Sequence, residues 1–474
     1  MRGFMQIKSP TFNTPFRIFL LTLLLAVTGI VMVYSSSANY ISRNDRVKKQ
    51  SSLNKRLKDL EDQRRRLQFR AGPQTGEGSL QEVEQQIRDL QKEREAFNSN
   101  HSYHNPRLAL RQFMWVCIGF VLMIGAYLFD YTRLKLWSPW ILAFSVFLLV
   151  CAFLPGVRDP LLGPNGTHYR WVQFGPLRFQ PSELAKLALV IYMARMLNDR
   201  NDQIKDFFHG VLPALGITAI CAALIVSEPD IGATAVMVTI IFLMWYIGGM
   251  RVLHLVGLVS ATIPAFVLVI MKYPDRVARV LAFLHPTPES NANKGHQLWQ
   301  SLIAVGSGGV HGLGFGNSMQ KHFLTEQFSD FIFAIICEEM GFIGACLIVF
   351  CFLLLIWEGW RVALRAPDFY SSLLASGITM MLAINVILNL LVVLGMAPTK
   401  GLVLPFLSAG GSNIIVMMIS MGILMNIGSY IEQEQETVAP EARRRKGTPA
   451  PEPIRPRYTW FGGKKPGYSR RKNA

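Results

Sequence analysis

The chain has 474 residues, of which 51% are hydrophobic and only 17% charged. This balance excludes an ordinary soluble enzyme and suits a polytopic membrane protein. The formal net charge is +17, but the excess sits in an early insert and in the C-terminal tail, where basic residues meet anionic lipid headgroups; no nucleic-acid partner is expected.

In chain order, Ile18 to Tyr34 is an apolar run of roughly bilayer length, preceded by Arg2, Lys8 and Arg17. It is longer than a usual signal-peptide core, so it is expected to stay as a first transmembrane helix within domain 1–37. Residues 38–111 form a polar insert. Leu53, Leu57, Leu60 and Leu67 recur at helical steps, as do Leu80, Val83, Ile87, Leu90 and Phe97, with AGPQTGEGS between the two series. Ser79 and Glu82 have capping-box spacing. The expectation is an antiparallel helical hairpin standing off the membrane, serving as a spacer or as a docking arm for another coiled-coil protein.

Apolar runs then alternate with short polar turns: Gln112 to Phe129, Trp137 to Leu154, Ser182 to Leu197, Gly210 to Val226, Ile231 to Tyr246, Leu255 to Met271, Phe331 to Trp357, Ser371 to Leu394 and Ile414 to Ile431. With the first run this gives an all-α protein of about ten transmembrane helices, with its core over residues 112–431. Both termini then share a side with Arg133, Lys135, Arg195, Arg200, Arg251, Arg361 and Arg365, and the positive-inside rule makes that side the cytoplasm. The basic insert falls outside, which long loops tolerate regardless of charge. The tail 432–474 is rich in Arg, Lys, Pro and Gly and is expected to be disordered and cytoplasmic. All six cysteines fall inside apolar runs, so neither a disulfide framework nor a cysteine metal site is expected.

The outer face receives the long connections Pro155 to Pro181, Lys272 to Asp330 and Met396 to Asn413, and the unusual polar residues gather there. Arg170 beside Trp171 offers a cation and an aromatic plate, which suits sugars and phosphates. Gln180-Pro181-Ser182 reads as a helix start, and Glu183 and Lys186, three apart, are placed to pair as a helix-capping ion pair or to meet substrate. Glu228-Pro229-Asp230 leaves no room for a loop; its carboxylates lie near the membrane surface, with Asp230 a candidate cap of the next helix. Arg276, Arg279, Lys294 and Lys321 would suit an anionic lipid-linked substrate, pyrophosphate above all. Glycines 306, 308, 309, 312, 314 and 316 would let backbone approach a ligand. Asp330 opens the following helix as either an N-cap or a reactive carboxylate, with Glu326 close enough in sequence to perturb it. Glu338 and Glu339, further along, could relay protons or bond neighbouring helices.

Six blocks taken together resemble the SEDS family of cell-wall proteins: MVYSSS from Met32, NGxxxRW with QPSExxK, EPDIGxT, the stretch from Gln297 through AVGSGG and Ser318 to Gln320-Lys321, SDFIFAxxxEExG, and NxxxxxGxxPTKGLxLPFLSxGGS from Asn389 to Ser412. PTKG at Pro398 to Gly401 is more like the division branch than the elongation branch. The resemblance implies a peptidoglycan glycosyltransferase that polymerises lipid II outside the bacterial cytoplasmic (inner) membrane at the septum. It implies as partners a class B penicillin-binding protein and other division proteins. It places the catalytic aspartate at Asp330 and the loop tryptophan at Trp171. Around these it implies substrate contacts from Arg170, Glu183, Lys186, Arg276, Arg279, Gln297, Ser318, Lys321, Glu326, Lys400 and Ser408. No cofactor is evident; a divalent Mg or Mn ion is compatible with the chemistry, but no ligand cluster marks one. A lipid II flippase and a non-catalytic division scaffold are the alternatives. The sequence departs from the family pattern at Thr325-Glu326, Phe328-Ser329 and Ser408-Ala409-Gly410-Gly411.

Overall fold

The computed structural model describes residues 13–37, 43–70, 83–92, 106–154, 170–174, 177–284, 295–324 and 327–444. The expected insert turn, the Ser79–Glu82 box, Lys294, Glu326 and the tail beyond residue 444 lie outside them. The chain divides into two compact units, residues 34–110 and the remainder, close to the boundaries expected for the insert.

Within the insert, α2 (Arg43–Arg70) and α3 (83–92) are helical, with Leu53, Val83 and Ile87 buried and most neighbours exposed. That alternation follows the apolar series in the sequence.

The larger unit is a helical membrane bundle. Among the described residues eight helices are long and apolar enough to cross a bilayer: α1 (Thr14–Ser37), α4 (Pro106–Leu128), α5 (Tyr131–Cys151), α7 (Leu212–Ser227, extended at its start by a π-helical turn Phe207–Val211), α9 (Val252–Met271), α12 (Ile332–Arg365), α13 (Phe369–Val393) and α14 (Gly411–Arg444). Two more stand where spans were expected. α6 (Pro181–Asp199) carries too many charges to qualify, and α8 (Ile231–Ile247) is shorter than the others. Both are buried along most of their length and pack against α13, which also lies along α12. The helix starts follow local rules. Pro181 occupies the first turn of α6, Asp230 caps α8, and Asp368 with Ser371 forms a capping box on α13.

Three features differ from the sequence expectation. Residues 172–179 contain a short antiparallel hairpin, β1 (Val172–Phe174) with β2 (Leu177–Phe179), too short for any periodicity to show. The long outer connection holds two helices, α10 (Pro274–Leu284) and α11 (His296–Ser307). The helical spacing of Val277, Val280, Leu281 and Leu284 carried that signal. The last helix runs on to Arg444, since Glu, Gln and Arg are good helix formers, so residues 432–444 are not the disordered start of the tail that composition suggested.

Polar contacts tie the bundle at both ends. At one end Arg17 and Arg361 both bond Glu358, the Thr14 amide bonds Glu432, and Lys135 pairs with Asp199. At the other end lie the starts of α6, α8, α12 and α14, and the loops that carry the chemistry.

Candidate active site

The turn between α7 and α8 is the point on which this end converges. The Pro229 carbonyl accepts hydrogen bonds from Arg170 Nη2, in the segment before β1, and from Arg276 Nη2 on α10 at 3.0 Å. Arg170 Nε also reaches the Glu228 carbonyl at 3.4 Å. Asp230 Oδ1 accepts from the Ala233 amide at 3.1 Å, so the expected capping role is met, and Oδ2 accepts from Gln180 Nε2 at 3.1 Å. The Gln180 amide in turn donates to Ser412 Oγ at 2.8 Å. Three loops that are far apart in sequence are thereby fixed against one another.

Lys400 belongs to the same group. A Cβ placed on Gly232 would lie 3.6 Å from Asp230 Oδ1 and 3.9 Å from Lys400 Cβ, which puts the lysine beside the start of α8. Its ammonium makes no hydrogen bond or ion pair among the described residues. Burial and the Arg276 guanidinium hold its pKa below the ordinary lysine value. An anion placed beside it would offset both effects.

Asp330 sits next to this cluster. Its Oδ2 lies 3.3 Å from where a Cβ on Gly401 would stand, one residue from Lys400; a side chain at Gly401 would crowd the carboxylate. Asn389 holds the backbone here by donating from Nδ2 to the Asp330 carbonyl at 3.0 Å and to the Leu402 carbonyl at 2.6 Å. Ser408 bonds the Ser329 carbonyl and the Leu404 amide. The N-cap of α12 is Phe331, without a side-chain cap bond, so Asp330 is not the helix cap that its position allowed. Its carboxylate is half-buried at the rim.

Other expected contacts are engaged elsewhere. Lys186 pairs with Glu183 at 2.9 Å, and Glu183 also accepts from Asn413 of α14 at 2.8 Å. Lys186 is only 2% exposed, so the pair expected from the spacing is formed, and with Asn413 it bonds α6 to α14. Lys321 is buried, donates through Nζ to the Gly316 carbonyl, and has its pKa depressed by burial against the opposing pull of Glu339 and Glu338. Its contacts are with its own loop and the Glu338–Glu339 carboxylates, so it is engaged within the chain. Ser318 donates to Glu338, which also accepts from the Met319 amide at 2.9 Å and the Gln320 amide at 3.3 Å. The glycine-rich stretch is used in the same way. Helix α12 is broken at Gly341, and the Leu313 and Gly314 amides cap the Glu338 and Glu339 carbonyls exposed by the break, at 2.9 and 3.0 Å. A Cβ on Gly312 would stand 2.2 Å from the Glu339 carbonyl oxygen. Glycine at 308 and 312 lets loop meet helix backbone, not ligand.

Arg279 is one turn beyond Arg276 on α10, Gln297 lies in the first turn of α11, and Trp171 is half-buried beside Arg170. Sequence reasoning passed over Asn389 and the Pro229 carbonyl. Asn389 opens the last motif block, which was its one visible signal; a main-chain acceptor leaves none. Among the described residues no group of three or more His, Cys, Asp and Glu could hold a metal ion, and no step below is routed through one.

Residues 94–433 match a family model described as "Cell cycle protein", FtsW/RodA/SpoVE. The chain is 40% identical over 323 residues to stage V sporulation protein E of Bacillus subtilis (strain 168), covering 68% of this chain and 87% of that one. It is 37% identical over 320 residues to a probable peptidoglycan glycosyltransferase FtsW of Geobacter sp. (strain M18), covering 67% and 86%. Among solved structures, a chain of a peptidoglycan synthase complex that coordinates polymerization and crosslinking superposes with a TM-score of 0.59 at 27% identity, covering 69% of this chain and 91% of that one. The rod shape determining protein RodA of Thermus thermophilus gives 0.51 at 27% identity, covering 69% and 88%. With the motif blocks, the helical bundle and the match over most of its length all in agreement, the chain belongs to the FtsW/RodA/SpoVE family of cell cycle proteins.

Proposed function

We propose that this protein is a peptidoglycan glycosyltransferase that polymerises lipid II during septal wall synthesis. The observation that carries the reading is the juxtaposition of Asp330 with the Lys400–Gly401 segment, and through it with Arg276 and Arg170. One carboxylate borders a group of cations in which the Lys400 ammonium makes no hydrogen bond or ion pair among the described residues. The names of its relatives support the same activity.

In the reaction the 4-hydroxyl of one lipid-linked disaccharide attacks the anomeric carbon of another. The new glycosidic bond forms as the bond to polyprenyl pyrophosphate breaks. Asp330 takes or orients the hydroxyl proton. Lys400 and Arg276 stabilise the charge growing on the departing pyrophosphate, with Arg170 held beside them. Trp171 supplies an apolar plate for the sugar. Fixing the loops through Pro229, Gln180–Ser412 and Asn389 keeps these groups in place without help from substrate, the form of preorganisation such chemistry needs.

The site faces outward in this reading, with both termini in the cytoplasm of a cell bounded by an inner membrane. A class B penicillin-binding protein crosslinks the strands made. The insert serves recruitment: deleting Val47 to Asn98 should weaken capture of that partner in a pull-down. The activity itself is tested with purified protein, lipid II and the class B partner, comparing the native chain with Asp330→Ala. Loss of glycan product with an unchanged melting temperature is expected. Undiminished polymer would move the base to another residue or leave the chain a scaffold.

A further inference from the structure

Glu228 is a buried carboxyl at this rim whose state the proposed reaction leaves unexplained. It is 0% exposed, and neither carboxyl oxygen has a hydrogen-bond partner among the described residues. Yet two guanidinium groups lie within a residue of it. Arg170 and Arg276 donate to the main-chain carbonyl of Pro229, and Arg170 also to that of Glu228 itself. An ionised carboxylate would win such a contest, because it adds the attraction of opposite charges and a two-oxygen match to the guanidinium fork, neither of which a neutral carbonyl offers. Cations that bypass a carboxyl in favour of the adjacent amide oxygen mark that carboxyl as uncharged.

We propose that Glu228 is a positioning residue held as the neutral acid, and that its ionisation draws Arg170 and Arg276 off the Pro229 carbonyl and disperses the cations that receive the substrate's pyrophosphate. Among the described residues the charged groups near it come from several elements: Asp230 at the start of α8, Arg170 before β1, Arg276 on α10 through the Pro229 carbonyl, and Lys400 beside the start of α8. Burial first, and then the negative charge of Asp230, push the Glu228 carboxyl up to about 8, while Arg170 opposes them. A bound pyrophosphate adds negative charge and holds the acid neutral, so substrate and the ordered site support each other. Above that range the empty site loses its proton, Arg170 turns inward, and substrate meets a rearranged rim.

The functional half of this inference rests on the polymerase reading; the protonation half does not, and the two are measured separately. Infrared difference spectra of the full-length protein without substrate, titrated from about pH 6 to about pH 10, should show a protonated-carboxyl band that disappears on the alkaline side. That band should be missing in Glu228→Gln. In Arg170→Gln it should persist to higher pH, since the cation favouring ionisation is gone. This second variant keeps the assignment testable if the first does not fold. In polymerisation assays the native rate should fall through the same range, mainly through KM for lipid II. Glu228→Gln should raise the ratio of the rate at about pH 9 to that at about pH 7 at least threefold over native. Absence of a band sensitive to either variant would mean that Glu228 is ionised and overturn the proposal. So would an unaltered ratio in Glu228→Gln, which would leave a neutral acid without a positioning role. If the native chain makes no glycan at all, the polymerase reading fails while the titration still stands.

Discussion

The Glu338 pocket and the Pro229 turn bury carboxyls in opposite ways. Glu338 is saturated: Ser318, two amides and the capped break of α12 surround it. Glu228 is equally hidden, but neither of its carboxyl oxygens has a hydrogen-bond partner among the described residues, while the guanidinium groups beside it bond main-chain carbonyls. Where every donor and acceptor has a partner within the chain, charge is structural. Where buried polar groups are left without such partners, they are candidates for binding or catalysis. The contrast separates two sets of polar residues that look alike in sequence.

Mutations should divide along the same line. The largest effect expected is on rate: Asp330→Asn should lower polymerisation by at least ~10²-fold while the melting temperature stays near native, and a matched loss of both would erase the distinction. Lys400→Ala comes next, at roughly 10- to 100-fold in rate, again read from glycan product per folded molecule. On the saturated side the readout is stability. Lys186→Ala strands Glu183 in the bundle and should cost about 3–5 kcal/mol, seen as a lower melting temperature in detergent. Lys186→Met combined with Glu183→Leu should recover most of it. Gly312→Ala, with φ of +81° and a carbonyl in the way, should cost about 1–3 kcal/mol. The smallest effect is on pH dependence. Glu228 keeps its proton in the folded state up to about 8, whereas the unfolded chain releases it near the ordinary glutamate value. Its contribution is therefore full at acid pH and is lost as pH rises through that window. Melting temperatures followed across it should decline less in Glu228→Gln than in native protein.

Much of the bundle was legible because a membrane imposes long apolar runs, and each expected span has a helix within a few residues of it. Asp330, Lys400 and the Gln180-Pro181 helix start were also visible, since helix ends and loop charges are local. The destination of Lys321 was not, nor was the bond from Asn413 that ties the Glu183–Lys186 pair, itself legible from its spacing, to α14. A cation in an outer loop looks the same whether it awaits a phosphate or donates to Gly316, and only the fold supplies the acceptor. The glycines misled for a related reason. Sequence shows that backbone can approach something closely, but not that the something is the broken turn of α12 at Gly341.

The sequence by itself determined the class of the molecule, the order of its helices, the face on which polar chemistry gathers and the family to which it belongs. All of these follow from hydropathy and from motifs contiguous in the chain. Tertiary structure alone decided which charges are neutralised within the protein and which are left over. That depends on contacts such as Arg170 and Arg276 meeting at Pro229, or Asn389 bonding Asp330, between segments tens of residues apart. A hydrogen bond at such separation leaves no periodicity to read, because its partners are brought together only when the apolar helices between them have packed.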